Sequence, residues 1–132
     1  MARVLIVEDD PLMLRMYQKI FTFAKHEVFT ATKGVEGVEK ARSEKPTVIV
    51  MDVMMPKMDG LAALDTIKAD PNIKNIPIIM LTNLASEKDA ENAMLKGAIK
   101  YIVKSEHDPK EVESMVREII AANTRDQVPT AA

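Results

Sequence analysis

The sequence predicts an α/β domain in which five strands alternate with five helices around a parallel sheet. Two observations support this class. Short apolar runs of strand length recur along the chain, and segments with apolar residues at helical spacing separate them. Three of the runs are apolar at every position, which is typical of strands buried on both faces in the middle of a parallel sheet. These runs cover residues 4–7, 48–51 and 78–81.

The helices are predicted from their start signals as well as from their periodicity. Asp10 and Asp108 each precede a proline, a pattern that places an N-cap before a proline at the first helical position. Ser86 opens a segment that resembles a capping box, and Gly97 is expected to end that helix. In chain order, the five helices are expected to begin at residues 11, 34, 61, 87 and 109.

The strand sequences also predict the order of the sheet. The second and fifth strands, residues 28–31 and 98–103, contain polar residues and are expected at the edges, whereas the apolar strands are central. Right-handed crossovers then favour the order 2-1-3-4-5. The order of the strands reverses between the first and third strands, which is where open parallel sheets bind their ligands. This places Glu8 and Asp9 beside Asp52.

Length and hydropathy predict one domain. The chain has 132 residues, of which residues 1–123 are expected to form the domain and residues 124–132 a frayed tail without periodicity. No apolar segment reaches membrane-spanning length, and the first residues do not resemble a signal peptide. We therefore expect no membrane insertion and a cytoplasmic location.

Composition excludes several classes of site. The formal net charge is −2 with both signs spread along the chain, which argues against binding nucleic acid directly. The absence of cysteine excludes disulfides, thiolate zinc sites and cysteine nucleophiles. His26 and His107 lie in polar segments and are expected at the surface.

The predicted carboxylate cluster requires compensation. At 4 Å and an effective dielectric constant near 20, each pair of ionised carboxylates costs about 4 kcal/mol. Glu8, Asp9 and Asp52 must therefore share protons or hold a cation. Oxygen ligands without histidine or cysteine suit Mg²⁺, or Mn²⁺.

Two further residues are expected near Asp52 because they follow or end neighbouring strands. Thr82 follows the fourth strand and offers a hydroxyl, and Lys104 follows the fifth and offers an ammonium group. A divalent cation, an ammonium and a hydroxyl around one carboxylate could hold a phosphoryl group on it. Alternatively, Lys104 only offsets the acids in a static ion-pair network. The residues by themselves leave both interpretations open.

The motifs resemble those of receiver domains of two-component response regulators, and the resemblance covers residues 2–123. The matching residues are Glu8-Asp9, Asp52 followed by Met-Met-Pro-x-Met-Asp-Gly, Thr82, and Tyr101-x-x-Lys104. The resemblance implies a flavodoxin-like doubly wound fold. It also implies that Asp52 receives a phosphoryl group from a histidine kinase or phosphotransfer protein. Mg²⁺ would be bound by Asp9, Asp52 and the Met54 carbonyl, with Glu8 acting through water.

The same resemblance implies how a signal would leave the domain. Lys104 would pair with the phosphoryl oxygens, and Thr82 and Tyr101 would be the switch residues. The face made by the fourth helix, fifth strand and fifth helix would change its affinity for an unknown downstream protein. The chain would be a monomer or a phosphorylation-dependent dimer, and not an enzyme beyond assisting its own phosphorylation and dephosphorylation. The tail is too short for an output domain, so we expect either a switch without one or the start of a linker in a longer regulator.

Two residues depart from the family's usual pattern, and two more are expected beside the phosphoryl group. Asn83 follows Thr82 where the family usually has a small residue, and Ser105 follows Lys104 where it usually has proline. A cis bond before serine costs about 2.5–4 kcal/mol, so a trans Lys104–Ser105 bond with a rearranged loop is expected. Met54 and Leu84 flank the path by which water would reach the phosphorus. Because both are apolar, a long-lived phosphorylated form is expected.

Two other functions compete with this interpretation. A Mg²⁺-dependent phosphatase with an aspartyl nucleophile would have a second Asp two residues after Asp52, but that position is Met54. A flavodoxin-like cofactor binder would need a neutral phosphate loop after the first strand. The acidic Glu8-Asp9-Asp10 segment would repel a phosphate there.

Overall fold

A computed structural model describes residues 2–55, 58–83 and 86–127, with side chains described as far as Asn123. Over these residues, five parallel strands form one sheet in the order β2-β1-β3-β4-β5, which confirms the predicted order. The strands are β1 Arg3–Val7, β2 Glu27–Ala31, β3 Val48–Met51, β4 Ile78–Thr82 and β5 Lys100–Val103. The helices are α1 Pro11–Phe23, α2 Gly34–Glu44, α3 Gly60–Lys68, α4 Glu87–Leu95 and α5 Pro109–Gln127.

The sheet separates two apolar layers because successive strand residues point to opposite faces. On β1, Leu5 and Val7 pack with side chains of α2, α3 and α4, whereas Val4 and Ile6 pack with α1 and α5. Every residue of β3 and β4 is buried, while β2 and β5 are partly exposed. The predicted assignment of central and edge strands is therefore confirmed.

The helix caps follow the sequence signals. The Asp10 carboxylate accepts a hydrogen bond from the backbone N–H of Leu12 at 2.9 Å, and Ser86 Oγ accepts one from Asp89 at 3.1 Å. Asp108 Oδ1 accepts from the N–H of Glu111 at 2.8 Å. These bonds satisfy N–H groups that have no partner within their own helix.

Two boundaries differ from the sequence prediction by two residues or more. Helix α5 continues to Gln127, four residues beyond the predicted domain boundary at residue 123, and residues 128–132 lie outside the described part of the chain. Strand β5 begins at Lys100, two residues later than predicted. Helix α4 ends at Leu95, and Gly97 follows its C-cap with a φ of 109°, which confirms the predicted role of Gly97 in ending this helix. In the described part of the chain, no helix has the length and apolar character needed to cross a membrane.

The predicted surface position of His26 is wrong. Its ring is buried between the start of β1 and helix α5. Nδ1 accepts a hydrogen bond from the N–H of Ala2 at 3.2 Å, and Nε2 lies 3.0 Å from Glu113 Oε2. The polar neighbours of His26 in the sequence suggested exposure, but its partner is 87 residues away. His107, by contrast, keeps 30% of its side chain exposed beside Glu111.

We expect the buried pair to matter for stability and the exposed pair to matter little. Replacing Glu113 by Ala leaves the buried His26 ring without its carboxylate partner, and should lower the free energy of unfolding by about 1–3 kcal/mol. Glu111 lies on the same helix as Glu113, and replacing it by Ala removes the carboxylate beside His107. The Glu111 side chain, however, is 57% exposed. That control should change stability by about 0.5 kcal/mol or less. Urea unfolding measures both, and equal losses would contradict the prediction.

Candidate functional site

The ends of β1 and β3 bring the acidic residues together. The hydrogen bonds between neighbouring strands continue past the strand ends. The N–H of Asp52 donates to the Val7 carbonyl at 3.0 Å, and the N–H of Glu8 donates to the Ala31 carbonyl at 3.0 Å. One carboxylate oxygen from each of Glu8, Asp9 and Asp52 lies within 4.8 Å of the others. The predicted convergence at the sheet edge is therefore present.

Lys104 enters this cluster from the end of β5. Its Nζ lies 3.0 Å from Asp52 Oδ2 and also contacts Glu8 Oε1. Glu8, Asp52 and the Lys104 side chain are buried, whereas Asp9 is exposed. One ammonium group therefore pairs with two of the three clustered carboxyl groups, and Asp9 is the one most open to a cation from solvent.

Burial and neighbouring charges shift the pKa values of Glu8 and Lys104 in opposite directions. Burial raises the pKa of the Glu8 carboxyl, and contact with Lys104 offsets this only in part. Burial by itself would lower the pKa of Lys104, but the hydrogen bond to Glu8 and the charge of Asp52 outweigh it and raise that pKa. Lys104 is therefore cationic at neutral pH.

The Asp52 carboxylate is held at both oxygens. Oδ1 accepts a hydrogen bond from the backbone N–H of Met54 at 3.1 Å, and Oδ2 accepts from Lys104. The Met54 side chain itself is 59% exposed. These two contacts hold the carboxylate in place beside Glu8 and Asp9.

Helix α3 begins directly against the backbone of Asp52. The N–H of Gly60 donates to the Val53 carbonyl at 2.8 Å, and Asp59 Oδ1 caps the helix by accepting from Ala62 at 2.8 Å. A Cβ at Gly60 would lie 2.0 Å from the Asp52 carbonyl oxygen. Glycine is required here because the helix and the carboxylate-bearing turn pack backbone to backbone.

The proposed switch residues occupy the neighbouring strands. Thr82 is fully buried at the end of β4, opposite Val103 of β5 in the register. Tyr101 is half-buried, and burial together with the charges of Asp89 and Asp52 raises the pKa of its phenol. Leu84 lies outside the described residues.

The chain after β5 turns at Lys104. The Lys104–Ser105 peptide bond is trans, which confirms the expectation, and Lys104–Glu106 forms a single 3-10 turn. The Lys104 side chain still reaches Asp52 and Glu8 from this turn. Serine after Lys104 is therefore compatible with the ion pairs of the site.

Sequence reasoning missed Tyr17 as a neighbour of the site. Its side chain is 2% exposed, and it lines a small space together with Glu8 and Asp52. Burial raises the pKa of the Tyr17 phenol, and the charges of Lys104, Glu8 and Asp52 also act on it. The available signal was the i, i+3, i+7 spacing of the buried α1 residues Leu14, Tyr17 and Phe21.

Comparison with known proteins identifies the family. The sequence model of the response regulator receiver domain matches residues 4–117. The chain belongs to this family. Receiver domains are the phosphoacceptor signalling switches of two-component systems, and they interact with histidine kinases or phosphotransfer proteins.

Relatives of two lengths match the chain. Protein PilH of Pseudomonas aeruginosa is 34% identical over 121 residues, which cover 92% of this chain and 97% of PilH. The probable transcriptional regulator ycf27 of Pyropia yezoensis is 35% identical over 118 residues, which cover 89% of this chain and 47% of that protein. The chain thus spans about half the length of several regulators that it matches.

Solved structures show the same fold. Chemotaxis protein CheY4 of Vibrio cholerae superposes with a TM-score of 0.83 at 30% identity, covering 89% of this chain and 98% of that one. The receiver domain of a sensor histidine kinase from Pseudomonas aeruginosa superposes with a TM-score of 0.81 at 28% identity, covering 91% and 98%. That structure has a magnesium ion coordinated in its active site cleft.

Proposed function

We propose that Asp52 accepts a phosphoryl group from a histidine kinase or phosphotransfer protein and that this modification switches the domain. The observation that carries the proposal is the environment of the Asp52 carboxylate. Its oxygens are held by the Met54 N–H and by Lys104, and it lies within the Glu8–Asp9 cluster at an open sheet edge. Membership of the receiver family supports the same reaction.

In the proposed reaction, an Asp52 carboxylate oxygen forms a bond to phosphorus. The bond between phosphorus and the donor breaks, and the donor leaves with its electron pair. Lys104, now paired with Asp52 Oδ2, would pair with the phosphoryl oxygens instead. The Thr82 hydroxyl, at the end of the neighbouring strand, would hold another phosphoryl oxygen.

The donor set fits Mg²⁺, or Mn²⁺ in its place. Glu8, Asp9 and Asp52 offer clustered carboxylate oxygens, and Lys104 by itself does not neutralise all three groups. Asp9 and Asp52 would be direct ligands with the Met54 carbonyl, and Glu8 would act through water. A bound Mg²⁺ would supply the positive charge that offsets the phosphoryl oxygens.

Phosphorylation should therefore depend on a divalent cation. Incubation with acetyl phosphate and Mg²⁺ should add one phosphoryl group, measured by intact mass, and excess EDTA should prevent it. The physical reason is that the acidic cluster repels an incoming phosphate unless a cation is present. Equal modification with and without the cation would contradict the metal assignment. No modification under either condition would contradict the phosphoacceptor assignment.

The two other functions fit the site less well. An aspartyl-nucleophile phosphatase needs an acid two residues after the nucleophile, and that position is the exposed Met54. A cofactor phosphate would meet Glu8 and Asp9 at the strand edge. We therefore propose a signalling protein that catalyses only its own phosphorylation and dephosphorylation and acts in the cytoplasm.

The output would follow from Thr82 and Tyr101. Movement of the Thr82 hydroxyl to the phosphoryl group would free space for the Tyr101 ring, which belongs to the apolar layer packed on α3 and α4. The face formed by α4, β5 and α5 would then change its affinity for a downstream protein. A phosphorylation-dependent dimer through this face is one form that the output could take.

The phosphorylated form should be long-lived. Met54 is 59% exposed and has room to lie over a phosphoryl group on Asp52, and apolar cover excludes the water needed for hydrolysis. The double variant Met54→Asn with Leu84→Glu should shorten the lifetime roughly tenfold, which corresponds to ~1.4 kcal/mol of barrier. Loss of the phosphoryl mass after donor removal measures this at constant Mg²⁺. Met54→Leu is the apolar control, and unchanged decay in the double variant would exclude both side chains from the mechanism.

A further inference from the structure

A groove between α1 and α5 lies outside the candidate site. It has a volume of about 570 Å³ and is formed by the last turns of α1 and the first turns of α5. Ile20, Phe23 and Ala24 provide its apolar surface. Phe23 is 87% exposed, an unusual position for an aromatic side chain unless a partner covers it.

The rim of the groove is positively charged. Lys19 and Lys110 line it from the two helices. Neither lysine forms an ion pair with any residue that the structure describes. The carboxylate in the groove wall, Glu113, is already bound by His26 and Arg117. The two ammonium groups are therefore available to carboxylates of a partner.

The groove is distant from the phosphoacceptor. Helix α1 begins at Pro11, next to the acidic cluster, and Phe23 is its last residue. At 1.5 Å per residue, the helix separates the two ends by about 18 Å. A molecule bound at Phe23 therefore leaves Asp52 open to a phosphodonor.

We propose that this groove binds an acidic amphipathic helix of another protein. Apolar side chains on one face of that helix would pack against Ile20 and Phe23. Its carboxylates would pair with Lys19 and Lys110 across the rim. A second copy of this chain fits less well, because a two-fold contact would bring the same lysines together. A concave site between two helices also fits a helix better than the flat surface of a membrane.

The test uses two synthetic helical peptides with identical leucine spacing, i, i+3, i+4 and i+7. One has glutamate at its remaining outward positions, and the other has lysine. In ¹H–¹⁵N NMR titrations of the full chain, the glutamate peptide should shift the amides of residues 19–24 and 110–114. It should bind at least about tenfold more tightly than the lysine peptide.

Matched variants locate the binding site. Phe23→Ala, and separately Lys19→Glu with Lys110→Glu, should each weaken binding of the glutamate peptide by about tenfold or more. Leu95→Ala is the control, because Leu95 is 81% exposed on α4, away from the groove. It should leave binding unchanged. All these side chains are at the surface, and circular dichroism would check that each variant is folded.

Four outcomes would overturn the proposal. The first is equal binding of the two peptides, and the second is unchanged binding in Phe23→Ala. The third is a dimer of the unmodified chain in sedimentation equilibrium that Phe23→Ala dissociates, which would assign the groove to a second copy. The fourth is binding to phosphatidylserine vesicles that Phe23→Ala removes, which would assign it to a membrane surface.

Discussion

Replacing Asp52 by Asn should abolish the gain of a phosphoryl group from acetyl phosphate. The amide has nearly the size of the carboxylate, but its single oxygen can accept from only one of the two donors, the Met54 N–H or Lys104. It also offers no ionised oxygen to form the bond to phosphorus. Intact mass after incubation with the donor and Mg²⁺ is the measurement, and the variant should stay at its unmodified mass.

The matched control is Asp59→Asn in the same loop. Asp59 caps α3 through its bond with Ala62, and asparagine is an equally good N-cap. The fold and the modification should both survive this change. If the Asp52→Asn variant gained the phosphoryl group as fast as the chain without the substitution, the group would be assigned to another residue. Loss of modification in both variants would point to the loop instead of the Asp52 carboxylate.

Replacing Gly60 by Ala should disturb both the fold and the site. The added Cβ would lie 2.0 Å from the Asp52 carbonyl oxygen and 2.8 Å from Val53 Cα, and neither backbone atom can move without the other. Overpacking of this kind costs about 1–3 kcal/mol or somewhat more. Because relief requires movement of the Asp52 backbone, phosphorylation should slow as well. Urea unfolding and the rate of mass gain measure the two effects.

Gly37→Ala is the comparison for this prediction. A Cβ at Gly37 would lie 2.9 Å from Val7 Cγ2, a side-chain atom, so its relief does not require movement of backbone. Gly37 is also inside helix α2, where alanine is favoured over glycine by about 0.5–1 kcal/mol. The two substitutions are chemically identical, so only their neighbours differ. Equal stability changes in the two variants would show that the contact of α3 with Asp52 is not rigid.

The sequence by itself determined the fold class, the sheet order and the central cluster of the candidate site. These features follow from local patterns. An apolar run that ends in a carboxylate lies within about ten consecutive residues, and such a run is typical of a buried parallel strand. In a parallel sheet the carboxyl ends of strands meet at one edge. Glu8, Asp9 and Asp52 were therefore predicted to meet, and the end of β5 predicted that Lys104 would join them.

Only the tertiary structure decided which polar residues are buried and which apolar residues are exposed. His26 is buried because Glu113, 87 residues later in the chain, supplies its partner. Tyr17 is buried against the ends of the central strands, beside Glu8 and Asp52, whereas Phe23 on the same helix is exposed at the groove between α1 and α5. Helical spacing identifies apolar positions, but packing against elements distant in the sequence determines which of them become core.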